Sequence, residues 1–466
     1  MIPEWLLSSP RLDSSKRTPR APIKSAGKPF IVALAFLLLL LSASGILITV
    51  RLALSGHVDF RQLYTAGYMV RAGSAAQLYN YAEVEKFQNR VVSPADGALP
   101  FNHLAYESLL YAPLSFFRYP VAYVIFLGVN LLVLAAAFRM LRPYLSPLCE
   151  VWSFLPASLF VCFLPVAMAL TEGQDSILML ALFIASTVAL DRGQDLMAGL
   201  LVGLTLFKFQ YAIPVALLFL AWRRWRFTAG FAFAAAALAG LSLSLTGIGA
   251  FSVYLHSLLD MSAKFSPSHG VQYGIRPELM PNLRGLIYAI VPGSPLTAHV
   301  VIGVLSALAM LWTVRRRPSL PLALLAALLV SYHQFITDAT LLLLPLGTAL
   351  GAAMQTRTWR AVYVMSLAGF VLVAPALLLL AGARFHLLAI PALALLAVWD
   401  GRTVNPEPAV HNELVHDKNE TRLAPSTAKL TVTQRLRSVE ARECPQRGTL
   451  LDLAPVGGRW KAKVYS

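Results

Sequence analysis

Apolar runs of membrane-spanning length recur from Ile31 to Val398, parted by short polar or basic segments. A helix needs about 20 apolar residues to cross the hydrocarbon core of a bilayer. The runs predict helices over 30–50, 119–138, 151–171, 175–190, 228–250, 297–314, 319–333, 338–354, 360–381 and 385–399. The stretch 196–222 is less simple. A single helix there would flip every later loop. Arg223-Arg224-Trp225-Arg226 and Arg315-Arg316-Arg317 would then both lie outside, against the excess of basic residues on the cytoplasmic side. Two short helices, 196–207 and 211–222, keep both clusters inside. They meet at Lys208–Gln210, so that Lys208 reaches the outer water. That escape matters, because a lysine held at mid-membrane costs about 2.5 kcal/mol or more. The result is an all-α polytopic membrane protein of about twelve helices with both termini in the cytoplasm.

Two long segments, 51–118 and 251–295, interrupt the apolar pattern on the outer side. In the first, Phe60, Leu63, Tyr64, Gly67 and Tyr68 fall on one face at helical spacing. Such a helix lies flat in the membrane interface. Tyr81, Val84 and Phe87 predict a second one over 80–90. Residues 1–29 read as a basic cytoplasmic tail, 30–400 as one membrane domain and 401–466 as a polar, largely disordered cytoplasmic tail. The run Phe30–Val50 is long for a signal peptide and reads as a retained first helix.

Composition agrees with this reading. The chain is 57% hydrophobic and 13% charged, where a soluble domain carries about 25% charge. The net charge of +16 sits largely in the N-terminal tail and the inner loops. No aromatic–basic stripe accompanies it, so membrane topology explains it and nucleic-acid binding is excluded as a partner. There is no Walker motif, dinucleotide fingerprint, HExxH or paired CxxC. No metal ligands are assigned, although a divalent cation remains compatible with the acidic residues.

The topology gathers the chemistry on one side. Asp59 follows helix 1 and stands either as a catalytic carboxylate or as an N-cap satisfying free N–H groups. Thr171-Glu172-Gly173-Gln174-Asp175 forms a short turn. There Gln174 and Asp175 can bind sugar hydroxyls, or simply solvate the turn. Lys208, beside Gln210, is either an anion site or a snorkelling side chain. His333 and Asp338 lie five residues apart between two helices, as a phosphate or acid–base pair or as a polar turn with a capping Asp. Arg276 and Arg284 in the second loop suit a phosphate, or stand in a solvated loop with its other polar residues.

The motifs Asp59-Phe60…Tyr64-Thr65-Ala66-Gly67, Gly173-Gln174-Asp175, Phe207-Lys208-Phe209-Gln210 and Ser331-Tyr332-His333…Asp338, in this order, resemble glycosyltransferase family 87, a set of polytopic GT-C enzymes. The likeness covers roughly residues 30–400. It implies a plasma-membrane hexosyltransferase, mannosyltransferase-like, with its active site on the outer face. The implied donor is a polyprenyl-phosphate sugar, either mannose or arabinose. The implied acceptor is a glycolipid or a polysaccharide. By the same resemblance, Asp59 is the catalytic base and Lys208, His333 and Arg276 hold the donor phosphate. Gln174, Asp175, Gln210 and Asp338 face the sugar or the acceptor. The chain departs from the family pattern at Lys208-Phe209, where Lys-Pro is usual, and at Asp175, where Asn is common. A transporter or flippase of lipid-linked sugars is the rival reading. No internal repeat supports it, and the polar residues avoid the bilayer midplane that transporters use.

Overall fold

The computed structural model describes residues 27–94, 97–263, 276–291, 294–356 and 358–402, with two short pieces at 455–456 and 459–460. Most of both tails and the loop carrying His269 lie outside the described residues. All described elements are helical except a two-residue strand pair, Pro455–Val456 with Arg459–Trp460.

Helix α1 (Lys28–Leu54) carries the first apolar run and leaves most of it uncovered, as a lipid-facing helix does. Two amphipathic helices follow, α2 (Phe60–Arg71) and α3 (Tyr81–Val91), with a single turn α4 (Ser108–Tyr111) after them. Further along come α5 (Tyr119–Leu145), α6 (Leu155–Val161), α7 (Leu164–Glu172), α8 (Ser176–Asp191), α9 (Asp195–Gly203), α10 (Phe209–Ala221) and α11 (Trp225–Ala263). Helices Pro295–Val314, Leu320–Val330, Leu343–Met354, Trp359–Leu380 and Ala389–Val398 close the bundle.

Seven of the helical runs are long and apolar enough to cross a membrane. The predicted helix over 151–171 is a bent pair, α6 and α7, with a 43° angle between them. Three more apolar helices, including α8, are shorter. The length criterion therefore supports a polytopic helical membrane protein but not all twelve predicted crossings.

The run Asp195–Ala221, one of the seven, doubles back. A straight helix of its 27 residues would hold its ends about 40 Å apart at 1.5 Å per residue. Yet Arg224, just past its end, pairs with Asp195 at its start, 3.4 Å away. Phe227 shows the same fold-back. It stacks on Phe219 with ring centroids 3.8 Å apart, while its carbonyl lies against Gly199. A tight 3-10 turn, Leu204–Lys208, joins the two arms and puts Lys208 at the tip of the hairpin. The fold-back depends on small residues. A Cβ on Gly199 would stand 1.9 Å from the Phe227 carbonyl oxygen, and one on Gly230 would stand 2.1 Å from that of Leu196.

Side-chain bonds tie the helix ends into two opposite faces. At one face Tyr144 bonds Asp191 at 2.5 Å, Trp222 donates to the Val314 carbonyl, Arg316 to that of Ala397 and Arg360 to that of Val398. This face carries the arginine clusters. At the other, Asp59, the Glu172–Asp175 turn, Lys208 and the 331–338 loop converge.

Between the faces the core is aliphatic, with Leu320–Leu329 buried along its whole length. A second, aromatic core lies under α2. Phe60 stacks on Phe126 at 4.9 Å and is ringed by Tyr111, Tyr119 and Tyr123. Arg61, which the periodicity leaves off the apolar face, is buried instead. It donates to Gln88, Asn89 and the Ser93 carbonyl and so fastens α2 to α3.

Candidate active site

Asp59 occupies the N-cap position of α2, but its carboxylate accepts no capping hydrogen bond. It is turned instead toward the bundle, where its Oδ2 accepts a short bond from Gln174 Nε2. Its own N–H faces Glu172 Oε2 at 3.4 Å. Phe60, locked in the aromatic core, holds this end of α2 in place. Burial pushes the Asp59 carboxyl above its ordinary range, and the Gln174 bond and the Lys208 charge oppose that rise.

The partner turn is built on Gly173. It ends α7 in the left-handed region at φ 63°, where a side chain would also strike Phe60. The reversal delivers Gln174, Asp175 and Ser176, all buried, to the head of α8. Lys208 reaches them from the hairpin tip. Its ammonium lies 2.5 Å from Asp175 Oδ1 and 2.6 Å from Asp338 Oδ1, and it donates to Ser176 Oγ at 3.0 Å and Gln174 Oε1 at 3.2 Å. Lys208 is 4% exposed, so it does not reach the outer water as the sequence predicts; its two carboxylate partners relieve the cost of its burial instead. Asp338 is held in turn by Ser176 Oγ, by Tyr211 Oη at 2.9 Å and by the N–H of Phe335. Asp59, Gln174, Lys208, Asp175 and Asp338 thus form one continuous network.

The remaining predicted residues surround this network. His333 stands in the same loop, its Nε2 buried and without a partner. Burial lowers its pKa to about 4, so it is a neutral imidazole at ordinary pH. Gln210 sits half-buried on the first turn of α10 and takes no part in the network. Arg276 is exposed, at the start of a 3-10 turn, and does not join it. Arg284 is buried instead. It donates to the Tyr332 carbonyl at 2.7 Å and covers the Tyr332 ring.

The structure adds two residues that sequence reasoning missed. His103 and Glu107 share a short hydrogen bond, and His103 Nδ1 lies 3.4 Å from Asp175 Oδ2. No helical period marks the pair, because His103 precedes the 3-10 turn Ala105–Glu107 that carries Glu107. Burial lifts the Glu107 carboxyl to about 7. Burial works against the His103 imidazolium, but Glu107 beside it raises its pKa overall.

Chemically the arrangement offers a carboxylate at the end of a buried charged network, beside neutral hydrogen-bonding groups. The family model for glycosyltransferase family 87 matches residues 107–345. No curated protein and no solved structure matches the chain.

Proposed function

We propose, from the premise that the chain belongs to glycosyltransferase family 87 and is a membrane glycosyltransferase, that it transfers a hexose or arabinose from a polyprenyl-phosphate donor to a lipid or polysaccharide acceptor. The observation that carries this reading is the junction of Asp59 with Gln174 and Lys208 at one end of the bundle. A base and a cationic network stand next to each other there, and no lysine or arginine pairs directly with Asp59 among the described residues.

The step is a single displacement. Asp59 takes the proton of the acceptor hydroxyl. The acceptor oxygen bonds to the anomeric carbon as the bond from that carbon to the phosphate oxygen breaks. The polyprenyl phosphate leaves with the electron pair, and the anomeric centre inverts. Burial keeps the Asp59 carboxyl basic enough to accept the proton. Lys208, His333 and Arg276 are the groups proposed for the departing phosphate. Lys208 is already shared by Asp175 and Asp338, so a phosphate oxygen meets it by taking the place of Ser176 or Gln174. His333 contributes an N–H without charge, and exposed Arg276 meets the phosphate from the rim. Gln174, Asp175, Gln210 and Asp338 are proposed to face sugar or acceptor, with the two carboxylates also setting the position of Lys208.

In the same reading the site end faces the outside of the plasma membrane, the arginine face and both tails lie in the cytoplasm, and the two hairpin arms count as separate crossings, which restores twelve. The test is transfer of radiolabelled mannose from polyprenyl-phosphate mannose to membrane lipid. A positioned base contributes about 10²–10⁴-fold, so Asp59→Asn should lose transfer by at least the lower figure at normal expression. Equal transfer by both proteins would remove Asp59 from the mechanism. Silence from both, with arabinose and glucose donors as well, would overturn the donor class and leave a carrier of lipid-linked sugars as the reading to pursue.

A further inference from the structure

The cluster His103, Glu107 and Asp175 carries more than the transfer mechanism uses. One donor atom from each lies within 4.8 Å of the others, and all three residues are buried. Asp175 is 1% exposed, and its two oxygens are engaged by ionisable partners, not by neutral donors. Oδ1 faces the Lys208 ammonium, and Oδ2 is turned to His103. Two carboxylates and an imidazole brought together from the 103–107 turn and the head of α8 make a mixed N/O donor set. Donors bound at about 2.0–2.1 Å in a tetrahedral site lie about 3.3–3.4 Å apart. The His103–Asp175 separation of 3.4 Å meets that geometry. The closer His103–Glu107 contact opens to it by rotation of the Glu107 side chain.

A space for water borders the segment that carries His103. A cavity of about 60 Å³ is lined by Tyr79, Phe101, Asn102 and Tyr254, immediately before His103 in the chain. The Tyr254 hydroxyl and the Asn102 side-chain amide oxygen are buried there without hydrogen-bond partners in the protein. This volume holds several waters. Tyr79 donates to the His103 carbonyl and fixes the backbone of the proposed ligand.

We propose that His103, Glu107 and Asp175 bind one divalent cation of the Mn²⁺ or Zn²⁺ type, with water from the neighbouring cavity completing its coordination. Imidazole with carboxylate suits these ions, whereas all-oxygen sites suit Mg²⁺ and Ca²⁺. Asp175 then bridges the cation and Lys208, and Gln174 next to it in the chain links both to Asp59. That the cation shares the charge of a departing phosphate with Lys208 rests on the transfer reading above. That it binds does not.

The experiment needs no sugar. The purified full-length protein in detergent is dialysed against Mn²⁺ and then against metal-free buffer, and its metal content is measured per chain. Pulsed electron paramagnetic resonance then reads nitrogen coupling to the bound Mn²⁺. About one ion per chain with coupling from an imidazole nitrogen is expected. His103→Gln and Glu107→Gln should weaken binding by more than the roughly 10–100-fold that outer-shell changes cost. Glu83→Gln, on exposed α3, should not weaken it. Absence of stoichiometric metal in the wild type, or metal without nitrogen coupling, would overturn the proposal even if a variant fails to fold. Equal binding by His103→Gln and wild type would do the same. Transfer by metal-free protein would remove the cation's share in the departing phosphate's charge, and the binding measurements above decide the site itself.

Discussion

Asp59 combines two demands that usually conflict. A base must be ionised to work, yet burial favours its neutral form. The raised pKa means that ionisation, and with it transfer, rises along an acidic limb displaced upward from the ordinary aspartate value of 3.8. The Gln174 bond pulls in the other direction by stabilising the charged form. Gln174→Leu should therefore move the limb of kcat/KM to higher pH, and a profile that stays in place would show that the bond does not tune the base. His333, neutral down to about 4, should add no second step near pH 6.5. At this scale the sequence was informative about which residues matter and silent about how they connect. Asp59, Gln174, Lys208 and Asp338 are polar interruptions in apolar surroundings, and that is visible in one dimension. Whether Asp59 capped a helix or faced the bundle was not visible, because both readings put the same residue at the same helix start. His103 and Glu107 were obscured because their segment has no clear period.

Among the elements, the Asp195–Ala221 hairpin is the one that charge logic resolved and hydropathy alone would have missed. Its apolar content is that of a single span. Only the two downstream arginine clusters require a reversal, and the structure supplies it with a 3-10 turn and glycine contacts. The packing makes a sharp prediction. Gly199→Ala sets a methyl against backbone that cannot rotate away, and overpacking of this kind costs about 1–3 kcal/mol. Gly240→Ala on α11 meets nothing within 4 Å. It should leave stability unchanged or raise it by up to about 1 kcal/mol through lower backbone entropy. Thermal unfolding of the two variants in detergent separates them; equal midpoints would mean that the first arm does not rely on its close approach to α11. Most helix boundaries were otherwise legible to within a few residues, but the predicted 119–138 and 228–250 helices run on to Leu145 and Ala263. The 151–171 helix is broken, and its bend at Cys162–Phe163 precedes a proline at 165. Proline at the start of a helix is compatible with a continuous apolar run, so hydropathy gave no warning.

At the scale of the whole molecule, one face gathers arginine and the other gathers mixed chemistry. This separation supports the orientation given above and can be tested directly. In a chain whose cysteines at 149, 162 and 444 are replaced by serine, Arg118→Cys stands exposed at the site end and Arg317→Cys at the arginine end. A membrane-impermeant maleimide should label the first in intact cells and the second only after permeabilisation. The reverse pattern would turn the protein over and place its reaction in the cytoplasm.

The lysine at the hairpin tip also constrains how the chain is made. Lys208 emerges from the ribosome after Asp175 but well before Asp338, 130 residues further along. Through that interval one of its two acidic partners does not yet exist. The hairpin must therefore enter the lipid as a pair of arms with its tip kept wet, or wait beside the translocon until the 331–338 loop arrives. On the second route a single charge sets a pause in assembly, and the last helices serve as the clasp that ends it.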